Sequence, residues 1–432
     1  MQAAPPARLR FAQVRVGNVK KSSPKTKRSS AKRSAAKPTA ESRTKGATAP
    51  ARHTIEEILS QPAIWAETFA RLHREGLLER LAKSFDASQP WLFVACGSSY
   101  YLSQLVSAIW SRNFAMAATA VPASELLFAP EETLRRTGAK QIVFVSRSGE
   151  TTEVIRAAEL LRQHADIRTL GITCKSGSRF EALCTHTFTL PWADEKSTVM
   201  TRSFTTILLS LQKLGARLKN ETIGATLDAL PQAAQPWLDA NASRIRSFAS
   251  QRKFADFVFL GQGAHYWLAQ EAALKVTEMS ASYAQAYHTL EFRHGPRSIT
   301  GPETLITYYI SDAAEAEEIL LVSELKKLHA TNLVVVNRAT PALRATSDLL
   351  IELQLDGPEF ARFAVAAIPA HLLGTAVGLR KGLDPDSPKN LTRAVVLGET
   401  SVKLRMPANP IPAAKPREET SVTARSKSGA RA

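Results

Sequence analysis

Cysteine is scarce in this chain. Cys96, Cys174 and Cys184 are the only three, an odd number with no CxxC spacing. That excludes a disulfide framework and a paired zinc site, and it points to a reducing compartment. Long hydrophobic runs are also lacking. The longest mostly apolar stretch, Phe363 to Leu379, contains Pro369, His371 and Gly374 and reads as a buried helix rather than a membrane span. No apolar segment follows the basic N-terminal stretch, which argues against a secretory signal and for a cytoplasmic protein without a membrane partner. There is no GxxxxGK(S/T) loop, so a nucleoside triphosphate is not indicated.

Acid is nearly missing from the two ends. Met1 to Arg52 holds fourteen Lys/Arg and one acid, Glu41, and Met406 to Ala432 holds five Lys/Arg and two acids. Of the total charge of +17, these ends carry +13 and +3, leaving +1 for residues 53–405. Both ends are rich in Ala, Pro, Ser and Thr and poor in aromatics, too polar to offset the entropy of ordering, and read as disordered basic tails. The N-terminal tail offers the chain's one route to nucleic acid, through counterion release. No folded DNA-reading motif accompanies it, and a solvated extension is the simpler reading. At 44% hydrophobic and 22% charged, the rest is ordinary globular composition, long enough for two or three domains.

Within the body, Thr54 to Glu57 has the pattern of a capping box, and Pro62 suits the first turn of a following helix whose apolar face is Trp65, Phe69 and Leu72. Trp91–Ala95 and Gln141–Val145 are short apolar runs without alternation, as expected of strands buried on both faces. Each leads through a small-residue turn into a helical stretch. Further strands are expected at 169–172 and 187–190. The same alternation restarts after a polar helical stretch near 220–250, with strands at 257–260, 305–310, 333–336 and 349–353 and helices at 266–279 and 360–380. Alternating strands and helices predict an α/β fold with a parallel sheet in each of two similar halves, 53–240 and 241–405.

Two hydroxyl-rich turns follow these strands, Gly97-Ser98-Ser99 and Ser146-Arg147-Ser148-Gly149-Glu150-Thr151. Backbone N–H groups and the helix dipole at such a turn favour an anion, and Ser and Thr hydroxyls add donors for phosphate oxygens. Ser and Gly are also ordinary cap and turn residues, but two such loops in one sheet favour phosphate. Arg147 and Arg202 stand beside them as candidates to neutralise its charge.

These loops resemble those of the sugar isomerase (SIS) domain family, and above all the isomerase half of glucosamine-6-phosphate synthases. The resemblance extends through Thr201-Arg202-Ser203-Phe204-Thr205-Thr206, Glu271-Ala-Ala-Leu-Lys275-Val-Thr-Glu278, Glu291-Phe-Arg-His294-Gly295-Pro296 and Gly382-Leu-Asp384-Pro-Asp386-Ser-Pro388-Lys-Asn390-Leu391, in the family's order. It implies two tandem SIS domains, each a flavodoxin-like three-layer sandwich. Three departures stand out. Gln2 occupies the position of the synthases' nucleophilic cysteine, and a 52-residue basic tail leaves no room for their glutaminase domain. Arg147 replaces the usual Gln of the second loop, and Arg393 stands where the synthases have a catalytic Lys. Glu195 to Phe204 is similar instead to the stand-alone branch that includes glucosamine-6-phosphate deaminases.

The resemblance implies a sugar-phosphate substrate, no cofactor and no metal, and a homodimer with shared active sites. It places Glu278 as the carboxylate that moves the proton between C1 and C2, and His294 as the group that opens the sugar ring in the partner's site. Lys275 and Arg393 are the cationic catalytic candidates. Ser99, Ser146, Arg147, Ser148, Thr151, Thr198 and Thr392 surround the substrate. Chemically, one carboxylate can reach both carbons, and a partly desolvated Glu on the apolar helix around 278 would have a raised pKa. Glu278 also fits a helix-surface pair with Lys275, and His294 a turn histidine before Gly-Pro. The leading expectation is conversion of glucosamine 6-phosphate to fructose 6-phosphate and ammonia. An aminotransferase-like isomerase, a sugar–amine deglycase and a non-catalytic sugar-phosphate sensor are the alternatives.

Overall fold

The computed structural model describes residues 49–162 and 164–398. The expected tails fall outside these residues except for 49–52, which are part of the folded body: Ala51 is buried and Arg52 opens the first helix.

Among the described residues, ten short strands form two all-parallel sheets. The first holds β1 (Trp91–Ala95), β2 (Ala118–Pro122), β3 (Gln141–Val145), β4 (Arg168–Thr173) and β5 (His186–Thr189) in the order β2-β1-β3-β4-β5. Trp91 pairs with Ala118 on one side and Gln141 on the other. The second holds β6 (Asp256–Gly261), β7 (Ala284–Tyr287), β8 (Thr304–Tyr309), β9 (Thr331–Val336) and β10 (Leu349–Glu352) in the order β7-β6-β8-β9-β10. The two orders are the same. Each sheet switches direction between its first and third strands, the crevice where open α/β sheets bind ligands.

The helices are α1 (Arg52–Leu59), α2 (Gln61–Glu75), α3 (Leu77–Ser84), α4 (Ser98–Asn113), α5 (Ala123–Phe128), α6 (Pro130–Thr137), α7 (Thr152–Leu161), α8 (Arg202–Leu218), α9 (Gly224–Gln251), α10 (His265–Ser280), α11 (Glu315–Lys326), α12 (Pro341–Thr346) and α13 (Phe363–Arg380). Residues 359–380 are apolar and long enough to cross a membrane, yet they are buried inside protein.

One central core runs through both halves, with Trp65, Trp91 and Phe204 at one end and Phe257, Leu305 and Ile368 at the other. The outer face of each sheet has its own smaller core. α9 passes unbroken through residue 240, where the halves were expected to part, and packs on α2 and α13 alike. Gly374 and Gly378 bring the backbone of α13 onto α10. A Cβ at Gly378 would lie 2.2 Å from the carbonyl oxygen of Met279, so no larger residue fits this crossing.

The expected capping box does not form. Thr54 N–H and Oγ1 both donate to Asp386 Oδ1 (2.7 Å each), and His53 N–H donates to Asp386 Oδ2 (3.0 Å). Asp384 accepts from Ala51 N–H (2.8 Å). A carboxylate from the other end of the body thus caps α1, where the helix dipole favours it. Glu57 turns instead to the 195–203 segment, accepting from the backbone N–H groups of Lys196 and Ser197.

Candidate functional site

β1 and β3 point their carboxyl ends at the same crevice. β1 leaves through Gly97, whose φ of +57° suits glycine, and Ser98 and Ser99 begin α4 as buried residues. Ser99 Oγ donates to Met200 Sδ at 3.6 Å. β3 leaves through Ser146–Thr151 into α7. Gly149 has φ +64°, and a Cβ there would meet the Ser178 side chain at 2.8 Å. The tight turn gathers three hydroxyls: Ser146 Oγ lies 3.3 Å and Ser148 Oγ 3.5 Å from Thr151 Oγ1. Ser146, Ser148 and Thr151 therefore share one rim of the loop. In the second half, the loop after β8 is filled internally: Ser311 N–H (2.7 Å) and Oγ (3.0 Å) both donate to Glu318.

Arg147 departs from expectation. Its guanidinium is buried and bonds to Glu195 (3.2 Å) and to the carbonyls of Thr198 (2.8 Å), Val199 (3.1 Å) and Arg393 (3.1 Å). Those bonds spend it on protein, so it braces the loop rather than facing a phosphate. Glu195 in turn accepts from Thr201 N–H (2.6 Å) and Oγ1 (2.9 Å) at the start of α8. Arg202 is likewise engaged, with the carbonyl of Asp194 (3.0 Å) and Ser60 Oγ (3.3 Å).

After α13 the chain returns to the first half as a strap, residues 384–398. Thr198 N–H donates to the Asp386 carbonyl (3.0 Å), Thr152 N–H to the Val395 carbonyl (3.1 Å) and Leu397 N–H to Thr152 Oγ1 (2.9 Å). The strap thus lies against the first turn of α7, beside the hydroxyl loop. Arg393 and Thr392 lie on it. The Arg393 side chain pairs with Asp194, and Thr392 Oγ1 donates to the Ala394 carbonyl (2.8 Å).

α10 supplies the charged centre. Glu271, Lys275 and Glu278 sit at i, i+4 and i+7, on one face. The Glu271 and Lys275 side chains are 1% exposed and that of Glu278 is 20% exposed. Lys275 Nζ hydrogen-bonds Glu278 Oε2 and stands 3.5 Å from Glu271 Oε1. Burial opposes the Lys275 charge, but Glu271 and Glu278 together hold its pKa above the ordinary value. The expected pairing of Glu278 with Lys275 is present, though the lysine is buried rather than on the surface. The carboxyl that burial pushes up, to about 8, is Glu271. Glu271 stood in the sequence motif without a role. Its signal was an acid one turn before a lysine on an otherwise apolar helix. Ser98 of the first loop faces Glu271, and α4, which that loop opens, packs on α10.

His294 is not gathered into this cluster by hydrogen bonding. It ends the turn Leu290–Arg293, donates its backbone N–H to the Glu291 carbonyl (3.0 Å) and is exposed. His288, in contrast, stacks on Tyr266 at 3.9 Å.

This architecture is similar to that of solved phosphosugar isomerases and deaminases. Residues 88–217 match the SIS domain family. A glucosamine-6-phosphate deaminase structure from Thermotoga maritima superimposes with a TM-score of 0.67 at 29% identity, covering 80% of this chain and all of that one. The tagatose-6-phosphate ketose/aldose isomerase of Escherichia coli shares the fold, with a TM-score of 0.69 at 22% identity over 82% of this chain and all of that one. Glutamine–fructose-6-phosphate aminotransferase (isomerizing) of Chlamydia muridarum is 27% identical over 359 residues, 80% of this chain but 58% of that protein. AgaS of Streptomyces coelicolor, named as a candidate D-galactosamine-6-phosphate deaminase, is 28% identical over 78% of this chain and 91% of that protein. The chain carries a SIS domain and is a homologue of the isomerase domain of these aminotransferases and of AgaS-type deaminases. It spans a little over half the length of the aminotransferases.

Proposed function

We propose that this protein is an amino-sugar-phosphate aldose–ketose isomerase and deaminase built from two tandem SIS domains, converting glucosamine 6-phosphate to fructose 6-phosphate and ammonia. The observation that carries the reading is the pairing of Glu278 with buried Lys275 on α10, a helix packed on α4 behind the Ser98–Ser99 turn. The phosphate is received by Ser146, Ser148 and Thr151, with Ser99, Thr198 and Thr392 around the sugar. Glu278 moves the proton between C1 and C2. The 2-amino sugar becomes a ketimine, water adds at C2, and the C–N bond breaks to leave the ketose and ammonia. Lys275 holds the carboxylate in place and balances its charge. His294 opens the ring, and its exposure on a turn suits service in the site of a second copy within a homodimer. The match over nine-tenths of the AgaS length, against little more than half of the aminotransferases, supports the deaminase reading.

A coupled ammonia-release assay over hexosamine 6-phosphates and their N-acetyl forms tests the reading. Release of ammonia with equimolar ketose phosphate is the expected result. No ammonia and no ketose phosphate from any of them would overturn it.

A further inference from the structure

Lys275 has two carboxyls competing for one ammonium. Glu278 holds it by a direct hydrogen bond, while Glu271 approaches from the other side to 3.5 Å. Among the described residues, neither Glu271 oxygen has a completed hydrogen bond, although its side chain is 1% exposed and the Ser98 hydroxyl faces it. A buried carboxyl without donors is costly when charged, and an ammonium 3.5 Å away is the obvious compensation. Nothing in the mechanism above uses it.

We propose that Glu271 is a positioning residue that competes with Glu278 for the Lys275 ammonium, so that the protonation of Glu271 sets how tightly Lys275 holds the candidate base. With Glu271 neutral, Lys275 is paired with Glu278 alone. With Glu271 ionised, the ammonium is shared and Glu278 becomes more basic. This rests on the role given to Glu278 above, but the competition itself can be read without turnover.

The surroundings confine the effect to this triad. From α4, Tyr101 faces Glu271, and from β8 Tyr309 does, with its hydroxyl unpartnered. Burial holds both phenols above their ordinary range, so neither ionises near neutrality. From α13, His371 faces Lys275, pushed down to about 3 by burial and therefore neutral. From the loop after β3, Arg147 adds a fixed positive charge. The remaining variable is Glu271, raised from 4.5 to about 8, with burial and the Glu278 charge outweighing the opposing pull of Lys275.

The sign of the linkage follows. Folded Glu271 keeps its proton to about pH 8, whereas the unfolded chain loses it near 4.5. Its contribution to stability is complete below the unfolded value and is lost as pH rises through the folded one. Thermal unfolding of the full chain from pH 5 to 9, compared with Glu271→Gln, isolates this titration: the two Tm curves diverge as pH rises and run parallel again above the folded Glu271 midpoint. That midpoint should move to lower pH in a Glu278→Gln background, where Lys275 turns wholly to Glu271. It should move to higher pH in Lys275→Met. In the active enzyme, kcat should rise through the same midpoint in wild type and show no such step in Glu271→Gln. Tm curves parallel throughout, a midpoint untouched by Glu278→Gln, or the same kcat profile in both proteins would each overturn the proposal. A wild type that releases no ammonia but keeps both midpoint shifts would remove the reaction and leave the competition standing.

Discussion

Glu278→Gln keeps the shape of the side chain but has no charge and cannot take a proton. Turnover should fall about 10²–10⁴-fold, the usual range for a general acid–base group. Binding of a non-reacting sugar phosphate, measured by calorimetry, should stay within a few-fold. The hydroxyl loop should behave in the opposite way. Ser148→Ala and Thr151→Ala remove contacts made equally in ground and transition states, so KM should rise while kcat holds. Steady-state kinetics on the same substrate separate the two cases, and a loss confined to kcat would remove the loop from phosphate binding. Arg147, between these hydroxyls, belongs to a different class of effect because its guanidinium is occupied by Glu195 and three carbonyls.

At the scale of elements, the segment joining β5 to α8 is held by two buried acids. Glu57 fixes its backbone from α1, and Glu195 binds both Arg147 and the first turn of α8. Glu195→Ala would leave Arg147 buried without its counter-charge, which costs about 3–5 kcal/mol. Urea denaturation should show a loss of that order with an unchanged m-value. Local sequence carried the buried strands well, because Trp91–Ala95 and Gln141–Val145 are apolar on both faces. It missed β2 and β7, which hold equivalent positions at one edge of each sheet. Ala-rich, short and partly exposed, they carry few of the branched and aromatic residues that mark a strand: Thr119 and Val121 in β2 and Tyr287 in β7. It also misread Thr54 and Glu57. A pattern four residues long cannot show that its partners, Asp386 and Lys196, arrive from 332 and 139 residues away. The hydroxyl-rich loop and the charged residues of α10 were legible because they are local in sequence. The buried settings of Arg147 and Glu271 were not, because distant segments create them.

At the scale of the whole molecule, the proposed assembly makes a distinctive prediction. If His294 serves the site of a second copy, each site combines Glu278 of one chain with His294 of the other. Glu278→Gln and His294→Ala chains, each inactive alone, should recover part of the wild-type activity when unfolded and refolded together. A mixture that stays inactive while wild type refolds normally would mean that each chain completes its own site. The carboxylates of Asp384 and Asp386 have a further consequence. They bind Ala51, His53 and Thr54, so the folded body is a ring closed by hydrogen bonds, with the strap meeting the first helix. A circular permutant that joins the strap to α1 by a short linker and opens the exposed turn between Arg252 and Lys253 would therefore keep both sheets, both loops and every anchor. A chain cut after Gly382 would release both arms of the ring together: α1 would lose its cap at the moment the hydroxyl loop lost its strap.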